Sequence, residues 1–120
     1  MRKIVVADDD PGSRHLLREI LEGLQCEVSE AVDGSDALLK VTEVNPDILL
    51  LDLQMPRLDG FDVVARLRQI PNFAALPVIA VTALAATEDQ EKCLRSGFAA
   101  FVSKPINIPA LRQIVTHWLG

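Results

Sequence analysis

Four short stretches of this sequence place acidic, hydroxyl and basic side chains directly after runs of apolar residues. Asp8, Asp9 and Asp10 follow residues 3–7, Asp52 follows 47–51, and Thr82 follows 77–81. Ser103, Lys104 and Pro105 follow residues 99–102. Carboxylates drawn together repel, so such a group either holds a proton at raised pKa or binds a cation. With oxygen donors and no neighbouring histidine or cysteine, the expected cation is a hard one, Mg²⁺ or Mn²⁺, which keeps several waters and takes one or two carboxylates. Beside an amine and a hydroxyl, a metal held that way suits phosphoryl transfer, in which positive charge is needed around the equatorial oxygens while a carboxylate attacks in line. Asp52 is then the nucleophile that becomes an acyl phosphate. Asp9 is the expected direct metal ligand, with Asp8 acting directly or through a water. Thr82 and Lys104 each stabilise a phosphoryl oxygen, and Lys104 pairs with Asp52 when no phosphoryl group is present.

These residues share a site only if the chain brings the ends of the apolar runs together. The runs at 3–7, 27–31, 47–51, 77–81 and 99–102 have strand length and are rich in aliphatic residues. Stretches with helical spacing separate them. Residues 12–24 put Leu17, Ile20, Leu21 and Leu24 on one face, and 35–44 do the same with Ala37, Leu38, Val41 and Val44 before Asn45-Pro46 stops the helix. Further helices are expected at 60–69, 87–96 and 107–119, with Thr87 and Asn107 as N-caps and Gly97 closing the fourth. Alternating strands and helices with nearly continuous apolar strands imply a parallel sheet covered on both faces, a three-layer α/β/α sandwich of five strands and five helices. Ligands of such a sheet bind beyond the carboxyl ends of its strands, where the residues above stand.

Composition narrows the function. The 120 residues have a 49% hydrophobic and 24% charged content, as expected for one globular domain spanning 1–120. The apolar runs are far short of the ~20 residues that cross a bilayer, and the start Met1-Arg2-Lys3 does not continue as a secretory leader, so a cytoplasmic protein without membrane insertion is expected. A net charge of −5 disfavours direct nucleic-acid binding. Cys26 and Cys93 lack ligand spacing and read as ordinary thiols.

The stretches IVVADDDPGSR, DILLLDLQMPRLDG, PVIAVTALA and AFVSKPIN resemble, in order, the receiver domain of bacterial two-component response regulators. The likeness extends over essentially the whole chain, and its specificity lies in the ordered combination rather than in any one motif. It implies a flavodoxin-like sheet of order 2-1-3-4-5. It also implies a phosphorelay signalling switch whose phosphoacceptor, Asp52, is loaded from a phosphohistidine on a histidine kinase or histidine phosphotransfer protein. The domain itself would catalyse that transfer and a slow dephosphorylation, acting on no separate substrate. By the same resemblance the backbone carbonyl of Gln54 completes a metal shell with Asp8, Asp9 and Asp52, and the Lys104–Pro105 bond is cis. Phe101 is the expected switch aromatic, entering space vacated when Thr82 moves toward the phosphoryl group. That step would alter the face of the fourth helix, fifth strand and fifth helix for a downstream protein. Phe in place of the frequent Tyr removes a hydroxyl from this face.

Other residues have plainer readings. Asp10 caps the first helix ahead of Pro11, while Asp33, Asp36, Asp47, Asp59 and Asp62 serve as caps, turns or solvated groups. His15 lies on the polar face of the first helix. By the family resemblance, the position of Leu84, two residues past Thr82, borders the acyl phosphate, where a bulky apolar side chain is expected to hinder attacking water, and the apolar run Leu84-Ala85-Ala86 is a candidate docking patch. Three other readings stand beside the main one, among them a binding module that has kept the fold and lost phosphorylation. The chain is also compatible with a receiver excised from a hybrid kinase or multidomain regulator. A phosphohydrolase using Asp8 and Asp10 as a D-x-D pair would leave Asp52 unexplained.

Overall fold

The computed structural model describes residues 1–84 and 86–120; Ala85, in the candidate docking patch, lies outside the described residues. Each apolar run becomes a strand, because an aliphatic segment flanked by helices on both sides loses most of its side chains to the interior, all of them in the central β3 and β4. The strands are β1 (Arg2–Ala7), β2 (Cys26–Ala31), β3 (Ile48–Leu51), β4 (Val78–Thr82) and β5 (Ala100–Ser103). The helices between and after them are α1 (Pro11–Gly23), α2 (Gly34–Val44), α3 (Gly60–Leu67), α4 (Thr87–Arg95) and α5 (Ile108–Leu119). All strand pairs are parallel and the sheet order is β2-β1-β3-β4-β5, the flavodoxin-like arrangement.

Alternation along the strands divides the core in two. Val5, Ala7, Leu49 and Leu51 face Ala37 and Val41 of α2, Val63, Val64 and Leu67 of α3, and Cys93 of α4. Ile4, Val6, Ile48 and Leu50 face Leu17, Ile20 and Leu21 of α1 and Leu111 and Val115 of α5. Every residue of β3 and β4 is buried, which accounts for their unbroken apolar character.

Caps set the helix starts. Asp10, Asp33 and Asn107 accept backbone N–H groups of Ser13, Asp36 and Ala110, and Asp59 and Asp62 form a reciprocal capping box. The fourth helix departs from expectation. Ala86 occupies the N-cap, with no side-chain cap bond, and Thr87 is already helical. The Ala86 carbonyl accepts from Asp89 and Gln90, so backbone bonds alone fix this start. A short 3₁₀ turn at Pro71–Phe73, unanticipated from the sequence, lies in the α3–β4 connection and buries Phe73 in the core. Gly97 takes φ +99° just past α4, as expected of a residue closing a helix.

Candidate functional site

The chain leaves β1 to form β2 on one side and returns to form β3 on the other, so the ends of β1 and β3 diverge into a crevice. The backbone carries Asp8 and Asp52 to its two walls. The Asp8 N–H donates to the Ala31 carbonyl at 3.1 Å, and the Asp52 N–H donates to the Ala7 carbonyl at 3.0 Å. Both residues therefore sit one step past their strands with the ladder still intact. Their side chains are almost wholly buried, Asp8 at 1% and Asp52 at 6% exposure.

Buried carboxylates need partners, and Lys104 serves both. Its ammonium donates to Asp8 Oδ2 at 2.7 Å and to Asp52 Oδ2 at 3.0 Å. The Lys104 N–H donates to the Thr82 carbonyl at 2.8 Å, continuing the β4–β5 ladder and placing the side chain at the end of the sheet; the Lys104–Pro105 peptide bond is cis. The second oxygen of each aspartate accepts a backbone N–H: Asp10 to Asp8 at 2.9 Å, and Gln54 to Asp52 at 3.0 Å. Among the described residues no buried side-chain nitrogen or oxygen lacks a partner.

The charges are unequally matched. Burial pushes the Asp8 carboxyl above the ordinary aspartate range, and the Lys104 hydrogen bond does not cancel it. For Lys104, burial opposes the charge, but hydrogen bonds and attraction from Asp8 and Asp52 prevail and raise its pKa. Two carboxylates share one ammonium, so with both ionised the pocket carries more negative charge than Lys104 neutralises.

Asp9, by contrast, is exposed, and its carboxylate accepts no hydrogen bond among the described residues. One oxygen each from Asp8, Asp9 and Asp52 lie within 4.8 Å of one another. Two oxygens bound to one Mg²⁺ at about 2.1 Å lie at most roughly 4.2 Å apart, so this donor set fits the ion after a small inward movement or with one ligand reached through water. The all-oxygen composition fits a hard cation and not zinc.

Thr82 closes β4 two residues beyond Ala80, the register partner of Leu51. It is fully buried, and its hydroxyl accepts the Leu84 N–H at 3.3 Å. The expected position just after the strand is thus its last residue, and Ser103 likewise ends β5. Phe101 pairs with Ala80 and is half-buried against the core on the α2–α4 side of the sheet, the core that Leu84 also packs against. Gln54 is exposed in the loop after Asp52. Asp10 is a helix cap held below the usual carboxylate range by Ser13, and His15 only meets Glu19 on the surface.

Sequence reasoning missed a group on the β2 side. Arg14 of α1 donates to the Asp8 carbonyl at 2.7 Å and to Glu30 at 3.1 Å, and Arg18 donates to Glu30 at 2.7 Å. The available signal was two arginines one helical turn apart, with a glutamate at the end of the neighbouring strand.

A family model described as the response regulator receiver domain matches residues 4–116. The chain belongs to this family. Receiver relatives occur in proteins of quite different size. The sensor histidine kinase RcsC of Escherichia coli strain K12 is 40% identical over 94% of this chain, which spans only 12% of that protein. The polar-differentiation response regulator DivK of Brucella ovis is 31% identical, with 99% of this chain and 97% of DivK covered. Among solved structures, the receiver domain of a Pseudomonas aeruginosa sensor histidine kinase, with a magnesium ion coordinated in its active-site cleft, superposes with TM-score 0.90. It is 29% identical, covering 99% of this chain and 98% of that one. Like these receivers, the chain is a signalling domain of the two-component class. No helix among the described residues is long and apolar enough to cross a membrane.

Proposed function

We propose that this receiver is a phosphorylation-activated switch whose phosphoacceptor is Asp52. The observation that carries the reading is a single ammonium, Lys104, bonded to both Asp8 and Asp52 at the sheet's crevice. A partly buried lysine shared between two buried strand-end carboxylates adds little net stability, since dehydrating the charges offsets most of their attraction. It does supply a cation already aimed at the oxygens of a group placed on Asp52.

In this reading an Asp52 carboxylate oxygen attacks the phosphorus of a phosphohistidine on a histidine kinase or phosphotransfer protein. The P–N bond breaks as the P–O bond forms, and the imidazole leaves. Lys104 moves from pairing with Asp52 to pairing with a phosphoryl oxygen. Thr82 exchanges the Leu84 N–H for a phosphoryl oxygen, to which its hydroxyl donates. Asp8, Asp9, Asp52 and the Gln54 carbonyl would hold Mg²⁺ or Mn²⁺, which offsets charge on the phosphoryl oxygens when bound. Movement of Thr82 frees space beside Phe101, and the resulting change on α4, β5 and α5 is read by a downstream protein rather than by nucleic acid. The uncapped start of α4 and its single buried residue, Cys93, are consistent with a helix that shifts at low cost. Two unpaired thiols suit a reducing, cytoplasmic setting.

Residues 1–120 act, in our reading, as one receiver domain. The near-complete coverage of DivK supports action as an independent switch, and the 12% coverage of RcsC supports the second reading, a receiver within a hybrid kinase. Immunoblotting source cells separates them: a species at 13.1 kDa supports the first, and only a much larger one supports the second. The metal reading is tested by melting in EDTA and in excess Mg²⁺. The ion raises the melting temperature of the wild type because it binds only the folded arrangement, and the rise disappears in Asp9→Ala. An undiminished rise in that variant removes Asp9 from the site.

A further inference from the structure

We propose that Arg14 is a positioning residue for the cation site, acting through the peptide group that joins Asp8 to Asp9. The proposal rests on the reading of Asp8, Asp9 and Asp52 as metal ligands. Asp8 is held at four points. Its N–H is tied to Ala31, its two carboxylate oxygens to Asp10 N–H and Lys104, and its carbonyl oxygen to Arg14 at 2.7 Å. Among the described residues Asp9 is held at none through its side chain, yet it must point into the crevice to be a ligand. The Asp8 carbonyl and the Asp9 N–H belong to one planar unit, so a donor that fixes the carbonyl fixes the orientation of the unit. That orientation sets the direction from which the Asp9 side chain departs.

Arg14 is equipped for this task. Its side chain is only 14% exposed, and Glu30 braces the guanidinium from the other side at 3.1 Å. Glu30 is in turn held by Arg18 at 2.7 Å. Glu30 lies on β2 opposite Val6 of β1, two residues before Asp8, so the brace is anchored to the same strand pair that carries the aspartates. A guanidinium offers several donors in a rigid fork and serves the carbonyl and the carboxylate at once. Groups that orient metal ligands without touching the metal commonly contribute ten- to a hundredfold to affinity.

The test is Mg²⁺ affinity, measured by titration calorimetry with Mg²⁺ alone and no phosphodonor. Arg14→Met is expected to weaken binding about tenfold. Glu30→Gln, which loosens the brace but leaves the Asp8 carbonyl contact, is expected to weaken binding clearly less than Arg14→Met, by about threefold or under. Equal loss of affinity in both variants, or none in Arg14→Met, overturns the proposal. If Arg14→Met does not fold, Arg14→Lys decides. Lysine keeps one donor over the carbonyl and gives up the fork, so affinity within about threefold of wild type is expected, and a folded variant binding tenfold more weakly overturns the role. Absence of Mg²⁺ binding by the wild type would instead sink the metal reading itself, before Arg14 enters.

Discussion

Replacing Asp8 with asparagine separates two views of the buried cluster. If Asp8 were simply the stabilising partner of Lys104, its removal would cost the roughly 3–5 kcal/mol typical of breaking a buried pair. The geometry gives another answer. At an effective dielectric constant near 20, the 2.7 Å contact between Asp8 and Lys104 is worth about 6 kcal/mol of attraction. Oxygens of Asp8 and Asp52 within 4.8 Å repel by about 3 kcal/mol on the same scale, and dehydrating a carboxylate that is 1% exposed costs several more. The terms nearly cancel, with a small net cost to the ionised form, in agreement with the raised Asp8 pKa. Asparagine keeps an oxygen for the Asp10 N–H but turns an amide toward the ammonium, a loss of about 1 kcal/mol. Lys104 retains Asp52. Asp8→Asn is therefore expected to lie within about 1 kcal/mol of wild type at pH 7 in EDTA, on either side. The pH dependence fixes the sign of the Asp8 term. Because burial raises its pKa above 3.8, the folded state takes up a proton before the unfolded chain does. Wild type thus gains on the variant as pH falls through the folded-state value toward 3.8, and loses that gain as pH rises. Urea unfolding of both proteins across this range is the assay. A loss above about 2 kcal/mol at pH 7, or wild type losing ground to the variant on acidification, would refute the reasoning.

Three further outcomes are expected. Gly60→Ala would place a Cβ 2.6 Å from the Asp52 carbonyl oxygen and 3.0 Å from Leu53 Cα. Because backbone cannot step aside without moving Asp52, it should cost about 1–3 kcal/mol in urea unfolding and slow phosphorylation, and an unperturbed variant would contradict the packing. Glu30 is held below its usual range by the Arg18 hydrogen bond, reinforced by Arg14. Its contribution, about 0.5–1 kcal/mol for a partly exposed pair, is present above pH 4.5 and fades as pH falls through the folded-state value, so wild type and Glu30→Gln should converge in acid melts. Leu84, half-buried and with its N–H on the Thr82 hydroxyl, should shield an acyl phosphate from water, so Leu84→Glu is expected to shorten the phosphoryl lifetime. An unchanged or longer lifetime argues against the shielding.

The strands were readable because a parallel sheet buried on both faces has little choice but aliphatic runs, and their order along the chain marked the residues beyond each end. Asp8, Asp52, Thr82 and Lys104 are accordingly found where those ends meet, although Thr82 and Ser103 are paired strand residues rather than the first residues beyond. Strand order itself came from family likeness, since alternation alone does not choose which side of β1 receives β3. Three features stayed hidden for physical reasons. The start of α4 depends on backbone geometry at Ala86, which Thr87 as a good capping type obscured. The turn at Pro71–Phe73 is too short to have a period. The bond from Arg14 to a main-chain carbonyl depends on which way the Asp8 peptide group turns between β1 and α1, which no pattern of side chains encodes.

The most direct measurement is to locate the phosphoryl group after incubation with a small phosphodonor, such as phosphoramidate, and Mg²⁺. Mass spectrometry of borohydride-trapped peptides should find one acid-labile phosphoryl group, on Asp52, absent from Asp52→Asn and largely retained in Asp10→Asn. A group carried on any other side chain, or undiminished incorporation into Asp52→Asn, would contradict the account.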